Sequence, residues 1–189
     1  MPWIFGYGSL IYPKSRERTA SSREATPIRL RGWQRAWNGV SEERGVTYLG
    51  VRVAAGANCN GVLVSESAGE LEEFDLRERG YRRDALSPVD LAASERPIAS
   101  GDAWIYVPHR PGTPSASCPI AQSYLDVVVA GCLGIGGEFA REFVRTTEGW
   151  ESHSINDREH PRYERAEPGL PLDEIDSVLA ACGHPRPRA

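Results

Sequence analysis

Trp3-Ile4-Phe5-Gly6-Tyr7-Gly8-Ser9-Leu10 is the stretch from which the rest of this 189-residue chain is read. Three bulky residues of strand-forming type run directly into a glycine-rich tetrad holding one tyrosine and one serine. Glycine lets backbone N–H groups approach a ligand closely and tolerates positive φ. The segment therefore predicts a buried strand feeding an anion-cradling turn, with a carboxylate or a phosphate as its guest. A plain tight turn is the competing reading. The pattern is not a dinucleotide fingerprint, because Ile11 stands where the third glycine of G-x-G-x-x-G would be. Ser9 is not in a nucleophile elbow either, since Tyr7 and Ile11 hold the flanking glycine positions.

The length fits one domain with a sizeable core, read as residues 1–182 followed by a mobile tail, 183–189. A net charge of −4 gives no basic footprint for nucleic acid. The start has no basic region followed by an apolar run, and no segment approaches the roughly 18 apolar residues of a membrane span. Cys59, Cys118, Cys132 and Cys182 form no C-x-x-C pair, which argues against a zinc knuckle and for reduced thiols in the cytoplasm.

Working outward, 11–27 reads as a polar loop over the mouth of the first turn. Ile28 to Trp37 reads as a long strand bent at Gly32. Thr47–Val53 and Asn60–Val64 read as a hairpin turning at 54–58. Ser67-Ala68-Gly69-Glu70 has capping-box spacing and opens a helix over 68–79 that Gly80 ends. Strands follow at 81–86 and 102–107, then a proline-rich loop at 108–119. Helices are predicted at 120–131, 138–147 and 172–182, with an irregular stretch at 150–171. Strands joined by short turns, with helices gathered in the last third, predict an α+β domain with a largely antiparallel or mixed sheet, curled or closed into a small barrel.

A second constellation lies at the end of the predicted helix. Leu71, Phe74 and Glu78 fall on one helical face, so Glu78 extends the apolar stripe. Glu70, Glu72, Glu73 and Arg77 read as surface charge. Desolvation and the negative pole of the helix C-terminus both raise the pKa of Glu78 toward the range useful for proton transfer. Arg77, Arg79, Arg82 and Arg83 oppose this if they point inward, and a structural ion pair is then the alternative role. Asp75 is the second-choice carboxylate.

Phe5-Gly6-Tyr7-Gly8-Ser9-Leu10 followed by Leu76-Arg77-Glu78-Arg79-Gly80-Tyr81 resembles the γ-glutamylcyclotransferase superfamily, and its ChaC-like branch most. The second motif is one residue shorter between glutamate and glycine than that branch's pattern, and the likeness covers about residues 2–130. The resemblance implies a small mixed β-barrel (γ-glutamylcyclotransferase-like) with flanking helices. It implies no cofactor and no metal. Its reaction would be cyclisation of a small-molecule γ-glutamyl compound (peptide, amide or glutathione) to release 5-oxoproline and an amine. Carried over, Glu78 would be the acid/base carboxylate. Tyr7, Gly8, Ser9 and Leu10 would hold the α-carboxylate and amine end of the substrate, and Tyr124 would face the pocket. Neither nucleic acid nor a membrane is implied as a partner; whether the chain forms a homodimer stays open.

A non-catalytic domain of the same fold, binding a small ligand or another protein, is the rival function, and the presence of Glu78 favours the enzyme. His153, Asp157, Glu159 and His160 crowd one segment but lack H-E-x-x-H order, so a solvated charged loop is preferred to a metal site. Trp3, Trp33, Trp37, Trp104 and Trp150, with Tyr48 and Tyr106, read as packing. Tyr81 reads as packing or as a residue reaching the site. Residues 156–158 and 161–163 are placed across the pocket, where they would set the choice of leaving group.

Overall fold

The computed structural model describes residues 2–18, 25–65, 70–87 and 103–185. The opening strand, β1 (Trp3–Gly6), lies inside the sheet. It pairs antiparallel with β3 (Val46–Ser65), from Trp3 opposite Ser65 to Gly6 opposite Val62, and parallel with β5 (Ala103–Pro108). With β2 (Ala25–Ser41), β4 (Tyr81–Leu86) and β7 (Thr147–Glu148) the order is β4-β5-β1-β3-β2-β7. Two short strands, β6 (Ile120–Ala121) and β8 (Ser154–Ile155), extend the pairing from β3. The result is a mixed sheet curled into a half-barrel with five helices among the described residues: α1 (Pro13–Glu17), α2 (Glu70–Arg77), α3 (Gln122–Ile135), α4 (Gly137–Arg145) and α5 (Leu172–Ala181).

The bend expected at Gly32 is there, but its partner differs from expectation. Residues 54–58 do not turn the chain round; β3 runs through them. Arg31 faces Asn58 while Trp33 faces Val53, so Gly32 alone opposes residues 54–57. Gly32 and Gly56 both take positive φ, 78° and 81°, which a side chain would strain. The small residues that read as a turn are thus a bulge, and the hairpin closes instead at 42–45, where Gly45 has φ 60°. The supposed loop 11–27 is also corrected in part. Pro13 occupies the first turn of α1, where its missing N–H costs nothing, and the helix buries Ser15 and Arg16. Residues 67–69 of the expected capping box lie outside the described residues, as do the last four residues of the tail.

The core explains why the first turn is held where it is. The first eleven residues of α3 are buried, and Val127, Val128 and Val129 pack with Phe5, Leu49 and Val62 of the strands. A Cβ on Gly131 would stand 2.6 Å from the Tyr12 nitrogen and 2.8 Å from the Ile11 carbonyl carbon. Only glycine lets α3 lie this close to the backbone that follows the turn. A second cluster, Ile4, Leu10, Phe74 and Tyr106, fastens α2 to β1. Burying Phe74 alone is worth about 1.5–3 kcal/mol. No helix among the described residues is long and apolar enough to cross a membrane.

Candidate active site

Between β1 and α1 the chain makes a 3-10 turn, Ser9–Ile11. Its bonds run from the Ile11 N–H to the Gly8 carbonyl (2.9 Å) and from the Tyr12 N–H to the Ser9 carbonyl (3.2 Å). The N–H groups of Ser9 and Leu10 therefore begin the turn with no acceptor inside it. Neither Gly6 nor Gly8 uses positive φ, so the conformational freedom expected of them is not what the site needs. What it needs is close approach: a Cβ on Gly6 would stand 2.6 Å from the Leu10 Cβ, and one on Gly8 would stand 2.8 Å from the Tyr124 hydroxyl.

This turn forms one wall of a cavity of about 510 Å³. Tyr7, Gly8, Ser9, Leu10, Glu78 and Tyr124 all line it. Glu78 sits just past the end of α2, yet its N–H still bonds the Phe74 carbonyl (2.9 Å), which keeps it on the stripe that Phe74 defines. The Tyr81 N–H then closes on the Glu78 carbonyl (2.7 Å) and starts β4. Asp75, the second-choice carboxylate, is turned away. It accepts from Tyr106 (2.8 Å), pairs with Arg83 (3.0 Å) and does not line the cavity.

Arg77 is the residue whose sequence reading fails. Its side chain is only 11% exposed, and it joins the two motifs. Its Nε lies 3.0 Å from Glu78 Oε1, while a terminal nitrogen donates to the Ser9 hydroxyl across 3.0 Å. The signal was present: Arg77 follows Phe74 by three positions and so shares its helical face. Burial pushes the Glu78 carboxyl above its ordinary pKa, and the charges of Arg77 and Arg165 pull the other way without prevailing. The ion pair does not close the site, because the cavity lies beside the carboxyl.

Six tyrosines, Tyr7, Tyr48, Tyr81, Tyr106, Tyr124 and Tyr163, contribute to the lining. Tyr7 donates to the Tyr106 carbonyl (2.5 Å), and Tyr81 donates to the Leu49 carbonyl (3.0 Å) and packs on Gly39. Burial raises the pKa of Tyr7, Tyr81 and Tyr124 well above the ordinary phenol value, so all three are neutral donors at physiological pH. Tyr48, read as packing, stands in the wall with its ring 4.9 Å from that of Tyr124. From the other side Tyr163 brings its ring within 5.0 Å of Tyr124 and lines the cavity with Glu164 and Arg165. Of the residues expected across the pocket, Tyr163 lines it and 156–158, 161 and 162 do not. Asp157 anchors this segment: its carboxylate accepts from the Ser123 N–H (2.7 Å), the Ser123 hydroxyl (2.6 Å) and the Arg162 N–H (2.8 Å). The acidic group weighed as a metal ligand instead caps the first turn of α3.

Comparison with known proteins agrees with this architecture. The model of the family described as ChaC-like protein matches residues 2–146. A solved structure named "Gamma-glutamyl cyclotransferase" superposes with a TM-score of 0.61 at 14% identity, over 95% of this chain and 98% of its own. YkqA from Bacillus subtilis gives 0.60 at 16% identity, over 81% of this chain and 55% of its own. The uncharacterized human protein loc79017 gives 0.58 at 15% identity, over 83% and 94%. At such identities the likeness is one of fold. No curated protein matches the sequence. The family match spans both motifs and every strand from β1 to β6, and the chain belongs to the ChaC-like family, with the fold of the γ-glutamyl cyclotransferases.

Proposed function

We propose that the chain is a γ-glutamylcyclotransferase that releases 5-oxoproline and an amine from a small γ-glutamyl compound without a cofactor. One observation carries this reading: the Ser9 turn and the Glu78 carboxyl, far apart in sequence, bound one cavity and are joined through Arg77. In the reaction the substrate's α-amine attacks its own γ-carbonyl and closes a five-membered lactam. Nucleophile and electrophile are already tethered, so the protein's first task is to hold the reactive conformer. The turn's N–H groups and the Ser9 hydroxyl hold the α-carboxylate end. Glu78 takes a proton from the α-ammonium and returns one to the departing amine. A carboxyl held above its ordinary pKa by burial suits both steps, since it binds the proton firmly enough to carry it and loosely enough to give it up. The neutral phenol of Tyr124 offers a donor near the developing oxyanion, while Tyr7, whose O–H is given to the Tyr106 carbonyl, helps to exclude water. Incubating the protein with a panel of γ-glutamyl peptides, amides and amines and measuring 5-oxoproline tests the proposal; release from none of them refutes it.

A further inference from the structure

The family match ends at residue 146, yet the cavity wall continues beyond it. The later segment brings Arg165 to the side of the cavity where the 3-10 turn runs into α1. Arg165 donates to the Ser15 carbonyl across 2.8 Å. Arg77 reaches the same carbonyl at 3.3 Å and also bonds the Ser9 hydroxyl. Two guanidiniums therefore converge beside the turn, and both act on one carboxyl, Glu78. Those three side chains sum to one positive charge. Glu164, the cavity carboxylate on this segment, is bonded to Arg44 at 3.1 Å and also feels the charge of Arg165.

Resting on the cyclotransferase reading, we infer that Arg165 is a substrate-binding residue that carries the charge opposite the α-carboxylate of the γ-glutamyl group. A carboxylate moved from water into a half-buried pocket needs a cation as well as N–H donors. Arg77 is shared between Glu78 and Ser9, and Arg165, on the same Ser15 carbonyl as Arg77, adds a second positive charge beside the turn. Asp157 and Ser123 hold this segment on α3 just before Arg165: Asp157 accepts from the Ser123 and Arg162 N–H groups, and the Tyr163 N–H donates to the Ser123 hydroxyl.

The test uses three compounds: γ-glutamylglycine, its analogue with the γ-glutamyl α-carboxylate replaced by a carboxamide, and γ-glutamyl methylamide. The first two share a leaving group, and the third keeps the α-carboxylate but has a leaving group without charge. Released glycine or methylamine is measured for the wild type, R165M and R165K. The wild type is expected to prefer the α-carboxylate over the α-carboxamide by at least about tenfold in kcat/KM, the worth of one charge-assisted bond. R165M is expected to lose most of that preference while slowing γ-glutamylglycine and the methylamide by the same factor. R165K, which keeps the charge and not the fork, should fall between. Two results overturn the inference: R165M slowing all three compounds equally, as a merely structural residue would, or R165M slowing γ-glutamylglycine alone, which would put Arg165 on the leaving group. If the wild type turns over none of the three and releases no 5-oxoproline from any other γ-glutamyl compound, the cyclotransferase reading itself fails.

Discussion

Arg77 donates to the Ser9 hydroxyl across 3.0 Å although 68 positions separate them. That bond ties the helix carrying the candidate acid/base residue to the turn that receives the substrate. A small displacement of either element then misplaces the proton carrier relative to the substrate, and positioning of this kind is where a tethered cyclisation gains most.

The charge of Arg77 holds down a carboxyl that burial raises. Replacing it with methionine removes the opposing charge and leaves desolvation in place, so the pKa of Glu78 rises further. The proton-accepting form is then lost from a higher pH than in the wild type. The acid limb of the kcat/KM profile of R77M is expected to move up in pH, and a pH–rate comparison checks this. A limb that stays put or moves down would show that Arg77 does not govern the carboxyl.

The same shift makes a statement about stability. The folded-state pKa of Glu78 lies above its unfolded value, so the native state binds more protons there and stability falls as pH rises through that window. E78Q removes the ionised form. It should match the wild type below the unfolded pKa and be the more stable of the two at neutral pH. Thermal unfolding across pH measures the difference, and wild type more stable at neutral pH would contradict it.

Gly8 offers a steric test. A methyl there would press on the Tyr124 hydroxyl at 2.8 Å, and the Tyr124 ring is wedged among Trp37, Tyr48 and Tyr163. G8A is expected to cost about 1–3 kcal/mol in chemical denaturation, as overpacking does. Adding Y124F removes the clashing oxygen and should recover part of that loss. Strict additivity of the two changes would mean that the groups do not meet.

Much of this could be read from residues alone. The strand at β1, the bend at Gly32, and the helical stripe from Phe74 to Glu78 each follow from a local period or a single backbone requirement. The pairing of two motifs in one cavity came from the resemblance, which physical patterns along the chain do not supply. What stayed hidden was set by tertiary context. Ala54 to Asn58 look like a turn because a bulge and a turn use the same small residues, and only the partner strand distinguishes them. Arg77 looked solvated because its value lies in bonds to Ser9 and Ser15, which local periodicity cannot see. Asp157 reads as part of a solvated charged loop because nothing local reveals that it caps a helix 34 residues earlier in the chain.

The central claim is that Glu78 moves the protons of a lactam-forming reaction, and E78Q measured against the wild type tests it most directly. With circular dichroism and thermal unfolding showing the fold retained, 5-oxoproline release by E78Q should fall at least about a hundredfold, the low end of a general acid–base contribution. Turnover by folded E78Q equal to that of the wild type would contradict the account.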